Sequence, residues 1–196
     1  MINFTESSKE AFSKNFEHYL DHRLMESRTI LISEGVSSRL TKRVLAQLLV
    51  LEQEDPEGEI RIFLNSPGGS ADDGFAIYDT LKMISAPVKV ICAGLVASAA
   101  TILMCAIPRE RRLSLPHSRI MMHQPSSGMM GAAADIEISA KEILKLRRKA
   151  DEVIAQATGK EVEQIAKDSN RDFWLSPQEA LDYGLIGRVV SSVSEI

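Results

Sequence analysis

The chain has four histidines, at positions 18, 22, 117 and 123, and they differ sharply in setting. His123 follows Ile120-Met121-Met122 and precedes Gln124-Pro125, so it ends an apolar run where the chain leaves a strand. Strand ends are where sites gather in parallel α/β sheets. A core histidine with satisfied nitrogens is the competing reading. His18 and His22 have the four-residue spacing of a metal pair. Tyr19, however, stands where a metalloprotease helix carries glutamate, and no third ligand is evident. Glu17 and Asp21 beside them mark a solvated face, so no metal is expected. His117, between Pro116 and Ser118, reads as a loop residue.

Ser98 sits among Val96, Ala97, Ala99 and Ala100, shortly after Gly94. This puts a hydroxyl at the first turn of a buried helix, near unpaired N–H groups and the positive end of the helix dipole. Such a place favours a developing oxyanion. A helix cap or small packing residue is the alternative. Gly68-Gly69 follows a strand and allows close approach of a ligand to backbone N–H groups. Without a lysine at Walker spacing the pair is no phosphate loop, and a tight strand–helix turn competes. Together these residues supply a nucleophile, a base and backbone donors, the parts needed for acyl transfer. An acid to orient the base is still required, and Asp172, in Asn170-Arg171-Asp172-Phe173-Trp174, is a candidate.

Positioning these groups requires alternating strands and helices. Apolar spacing predicts an amphipathic helix over 3–25, a strand at 29–32, and a helix from about 38 to 54. A strand follows at 60–64, then a helix from 71 to about 84 with a capping-box signature at Ser70 and Asp73. A strand at 87–93, a turn at Gly94 and a helix at 97–106 come next. Further on lie a strand at 119–123, a long helix over 135–157 ending at Gly159, and a short helix at 160–167. A capped helix from Ser176-Pro177 and a strand within 184–190 close the chain. The alternation predicts an α/β fold with mostly parallel pairing.

At 196 residues, with 44% hydrophobic and 26% charged, the chain reads as one domain with a sizeable core rather than a disordered segment. A net charge of −4 gives no footprint for a phosphate backbone, so nucleic acid is not an expected partner. Cys92 and Cys105 read as buried thiols in a reducing compartment. The charged first thirty residues leave no secretory h-region, so a cytoplasmic location is expected. Residues 90–107 carry no charge, but their small-residue centre suits a buried strand–turn–helix better than a membrane span.

Several segments, in matching order and spacing, resemble the proteolytic subunit of the ATP-dependent Clp protease over about residues 24–190. They are Asn65-Ser66-Pro67-Gly68-Gly69-Ser70 with Gly74 and Ile77-Tyr78-Asp79, residues 94–98, and Arg119-Ile120-Met121-Met122-His123-Gln124-Pro125. Asp135-Ile136-Glu137-Ile138 with Ala140-Lys141-Glu142-Ile143-Leu144 and Arg171-Asp172 with Glu179-Ala180 and Tyr183-Gly184-Leu185-Ile186 complete the set. The resemblance implies a crotonase-like fold (the Clp peptidase fold) made of parallel sheets, helices and a protruding handle helix at about 135–157. The division it implies is an N-terminal segment over about 1–23 and a core over 24–190. It implies a serine endopeptidase with Ser98 as nucleophile, His123 as base and Asp172 as orienting acid. Gly69 and Ala99 match the oxyanion-hole positions. Gly68, Ser70, Ala71, Pro125, Ser126 and Ser127 match positions that bind extended substrate as an added strand. The resemblance further implies heptameric rings enclosing a chamber, fed with unfolded proteins by an AAA+ unfoldase that itself hydrolyses ATP. This chain should then need no cofactor.

The sequence also departs from the family pattern. Docking of the unfoldase would involve Arg61, Phe63, Ile91, Leu113 and Leu115, and Arg61 stands where an aromatic is usual. Ala132 replaces a glutamine, and Asn170 an acid paired with the arginine matched by Arg171, both at ring–ring contacts. Ala99-Ala100 replaces Met-Gly after the nucleophile. These changes point to a divergent paralogue working with a second Clp peptidase subunit. The alternative reading is a catalytically silent or partner-dependent structural subunit of a mixed ring. An acyl-CoA enzyme of the same fold would not need the serine.

Overall fold

The computed structural model describes residues 16, 18–126, 128 and 130–196. Much of the helix expected over 3–25, and Ser127, therefore lie outside the described residues, while 18–26 are helical.

Two strands dominate because β-branched and apolar residues recur on both their faces, as a sheet covered on both sides requires. They are β2 (Ile60–Ser66) and β3 (Val88–Ala97), paired in parallel from Ile60↔Val88 to Leu64↔Cys92. β1 (Thr29–Ile32) lies on the other side of β2. β4 (Arg112–Ser114) pairs with the first half of β3, and β7 (Arg188–Val189) with β4, all in parallel. The second half of β3 takes a different neighbour, β5 (Arg119–Met122), which pairs antiparallel with β6 (Phe173–Leu175). β3 thus brings its C-terminal end beside the C-terminal end of β5, and both open on the same site. The fold is α/β with a largely parallel sheet, as expected.

Six labelled helices pack around the sheet: α1 (Ser38–Glu54), α2 (Ala71–Met83), α3 (Ala99–Met104), α4 (Ala133–Thr158), α5 (Val162–Asp168) and α6 (Pro177–Tyr183). Leu40, Val44, Leu48 and Leu51 of α1 join Ile30, Ile62, Leu64, Val90 and Leu103 in the main core. α4 ends at Gly159 in a left-handed conformation, and α6 begins with a full capping box between Ser176 and Glu179. At Ser70 only half of the expected box forms: its hydroxyl accepts from the Asp73 N–H, with no reciprocal bond to the cap.

The structure corrects the reading of 94–106. Gly94 does not turn the chain out of the sheet. With φ +90 it kinks β3, shifting the register so that Ser66 pairs with Val96, and the strand continues to Ala97. Asn65 Oδ1 accepts from the Leu95 N–H at 3.0 Å and secures the kink. The helix then starts two residues later than predicted, after Ser98. β4 and β6 were not anticipated: each is three residues long, and β4 opens on Arg112. That arginine is only 2% exposed because its guanidinium donates to the carbonyls of Leu185 and Ala157, at 2.9 and 2.7 Å, at two helix C-termini. Among the described residues no helix is long and apolar enough to cross a membrane.

Candidate active site

Ser98 closes β3 and caps α3 with φ +56 and ψ −123, a conformation that an L-residue adopts only under constraint. The constraint comes from both sides. Its N–H donates to the Met121 carbonyl at 2.9 Å, and the Thr101 hydroxyl donates to the same carbonyl at 2.7 Å. The turn is thereby riveted to β5, the strand that delivers His123. On the opposite side, a Cβ at Gly68 would stand 2.5 Å from Ala97 O and 2.7 Å from Ser98 Cβ, so only glycine fits there. The Ser98 side chain makes no cap bond, leaving its hydroxyl free to face His123.

His123 Nε2 lies 2.9 Å from Ser98 Oγ, and its Nδ1 lies 3.0 Å from Asp172 Oδ1. A neutral ring that donates from Nδ1 to the carboxylate leaves Nε2 to accept the serine proton. Asp172 reaches the ring because the segment before it is clasped to the residue after His123. The Gln124 N–H donates to Ser169 O at 2.6 Å, and Gln124 Nε2 to Asn170 O at 2.8 Å. The Asp172 side chain is nevertheless 60% exposed, against 27% for His123.

The Gly68-Gly69 turn is held by the loop after β1. The Val36 N–H donates to Gly68 O and the Ser70 N–H to Val36 O, each at 2.9 Å. In such a parallel bridge the intervening N–H, that of Gly69, points away from Val36. The Ala99 N–H is the first of α3, one of the donors a helix leaves unpaired. A cavity of about 300 Å³ opens beside Ser98 and His123. Gly69, Ser70, Ala71, Pro125 and Ser126 line it, with Ile102, Ile143, Leu146 and Ile154 supplying apolar wall.

Among the lining residues that the sequence did not single out, one is a buried acid. Asp151 of α4 lines the cavity, is 5% exposed, and accepts from the Ser169 hydroxyl at 2.9 Å. Burial pushes its carboxyl above the usual aspartate range, against the lowering effects of Ser169 and Arg147. The signal in the sequence is faint: Asp151 stands three residues before the apolar Ile154 but four after Arg147, the spacing of an ordinary surface ion pair.

The remaining predicted residues fall elsewhere. Ile91 and Leu113 are buried with Val190 in a satellite cluster against which Phe63 and Leu115 pack. Phe63 and Leu115 are half-buried at its edge, so the cluster reaches the surface through them. Arg61 donates to Ser27 O at 3.0 Å. Asn170 Oδ1 is 3.5 Å from an Arg147 nitrogen, Arg171 is exposed, and Ala132 precedes α4 without a side-chain cap. His22 lies 3.7 Å from Glu26, and no group of three or more ligating side chains is arranged for a metal among the described residues. Burial pushes both thiols up, that of Cys92 to about 12 and that of Cys105 to about 11, so neither is an activated nucleophile.

A family model described as Clp protease matches residues 13–193. Among curated proteins, the chain is 44% identical over 182 residues to the ATP-dependent Clp protease proteolytic subunit 3 of Rhodococcus jostii (strain RHA1). The alignment covers 93% of this chain and 90% of the relative. Among solved structures, a ClpP1 mutant from Listeria monocytogenes superposes with a TM-score of 0.83 at 42% identity. That match covers 89% of this chain and 98% of the other.

Proposed function

The chain belongs to the Clp protease family, and from that premise we propose that it is a serine endopeptidase with Ser98 as nucleophile, His123 as base and Asp172 as orienting acid. The observation that carries the reading is the unbroken contact chain from Ser98 Oγ through the two nitrogens of His123 to Asp172 Oδ1. Ser98 Oγ bonds to the scissile carbonyl carbon while its proton passes to His123 Nε2. Asp172 holds the ring in the tautomer that can receive it and stabilises the imidazolium that results. The carbonyl oxygen becomes an oxyanion, which the N–H groups of Gly69 and Ala99 receive. A preorganised donor of this kind is worth about 10²–10³ in kcat. When the tetrahedral species collapses, the C–N bond breaks and the leaving amine takes the proton from Nε2. Water, deprotonated by the same nitrogen, then hydrolyses the acyl-enzyme.

Extended substrate pairs as an added strand beside Ser70 and Ala71 on one side and residues 125–127 on the other. Heptameric rings enclose the chamber, and an AAA+ unfoldase supplies unfolded chains and hydrolyses the ATP. No cofactor takes part in the peptide cleavage itself.

Cleavage of a fluorogenic peptide tests the proposal. Ser98→Ala should abolish it, whereas wild-type turnover by that variant would overturn the assignment. A partner-dependent reading is favoured by one observation, the 60% exposure of the Asp172 side chain. A carboxylate open to water loses much of its hold on the imidazolium, and a neighbouring subunit that covered it would restore it. The same assay with an added Clp peptidase paralogue separates a chain active alone from one that needs this cover.

A further inference from the structure

The cavity beside Ser98 is apolar along its wall but acidic among its charged residues. Ile102, Leu146 and Ile154 form the wall, Asp72 and Asp151 supply carboxyls, and among the described residues His123 is the only basic side chain that lines it. Asp151 is 5% exposed, and its Oδ1 is engaged by the Ser169 hydroxyl at 2.9 Å. Oδ2 forms an ion pair with Arg147 Nε at 3.8 Å, beyond hydrogen-bond distance. Arg147 does not line the cavity: its guanidinium turns to Ala166 O at 3.0 Å, on the α5 side. Lys149 is drawn aside too, with its ammonium 4.1 Å above the Phe75 ring. A buried carboxylate with spare acceptor capacity is costly to leave unsatisfied and gains strongly from a charged donor.

Resting on the proposed peptidase reading, we infer that Asp151 determines specificity, selecting substrates whose cleaved residue carries an apolar stem and a cationic end, that is, lysine or arginine. The stem lies along Ile102, Leu146 and Ile154 while the guanidinium or ammonium meets the Asp151 carboxylate. Asp72 adds the same sign of charge. A leucine side chain fills the apolar wall but leaves the carboxylate without its donor, and this difference sets the selectivity.

Two peptide aldehydes that differ only in a terminal argininal or leucinal test the inference, each competing with a fluorophosphonate for Ser98 on the full-length protein. The argininal should protect Ser98 at about tenfold lower concentration than the leucinal. Asp151→Asn, which keeps an acceptor for Ser169, should erase that ratio, and Asp72→Asn should reduce it. A leucinal that protects equally well or better, or a ratio unmoved by Asp151→Asn, overturns the inference and leaves the peptidase reading intact. Failure of the fluorophosphonate to label Ser98, both alone and with an added Clp peptidase paralogue, overturns both.

Discussion

The strained φ of +56 at Ser98 makes the position of the proposed nucleophile a property of its neighbours rather than of its own preference. Gly68 is the neighbour with least room, so Gly68→Ala should cost the turn its shape. Peptide cleavage is expected to fall to the level of Ser98→Ala while far-ultraviolet circular dichroism stays close to wild type. Near-wild-type turnover would show that the turn has slack the distances do not suggest. Asp172→Asn should lower kcat by about 10³–10⁴-fold by fixing the wrong histidine tautomer, with a smaller change in KM. Ser98, His123 and Asp172 could be picked out in the sequence because each stands at the end of an apolar run or just before a capped helix. The exposure of Asp172 was not legible, since it depends on which chain segments cover residues 170–172. Asp151 was overlooked for a related reason: an acid on a charged helix attracts no notice until the cavity it faces is known.

At the scale of elements, β3 does two jobs, pairing first with β4 and then with β5. Periodicity could not reveal this, because Gly94 looks like a stop until Asn65 is seen holding the kink. The central strands and the long helix α4 were legible from pattern alone. The short strands β4 and β6 were not, since three residues carry too little alternation to register. Arg112 ties β4 to the ends of α4 and α6. Arg112→Met leaves two buried carbonyls unpaired and should destabilise the fold by about 2–4 kcal/mol, read as a lower denaturant midpoint with an unchanged slope. The raised carboxyl pKa of Asp151 gives a further test on α4, where Arg147, Glu152 and Ser169 are the groups acting on it. A carboxyl whose pKa is higher folded than unfolded favours the folded state only while protonated. Stability is therefore lost as pH rises from the unfolded value through the folded one. Asp151→Asn should accordingly gain in Tm relative to wild type as pH is raised from acid to neutral. A difference that does not change with pH would contradict the burial argument.

For the whole molecule, the proposed confinement in a chamber requires association, and we propose that α4 carries the surface for it. Ile138 and Leu144 are 61% and 62% exposed on that helix. On the proposed assignment of Ala132 and Asn170 to ring contacts, where they replace polar residues, the isolated chain should form stable double rings only with a second Clp peptidase subunit. Light scattering of each protein alone and of the mixture checks this, and a stable, fully active double ring of this chain alone would contradict it. Labelling the purified protein with a fluorophosphonate, and locating the adduct by mass spectrometry, tests most directly that Ser98 is an activated nucleophile. An adduct on Ser98 that His123→Ala abolishes is the expected result. A folded protein that stays unlabelled, with or without a partner subunit, would contradict it.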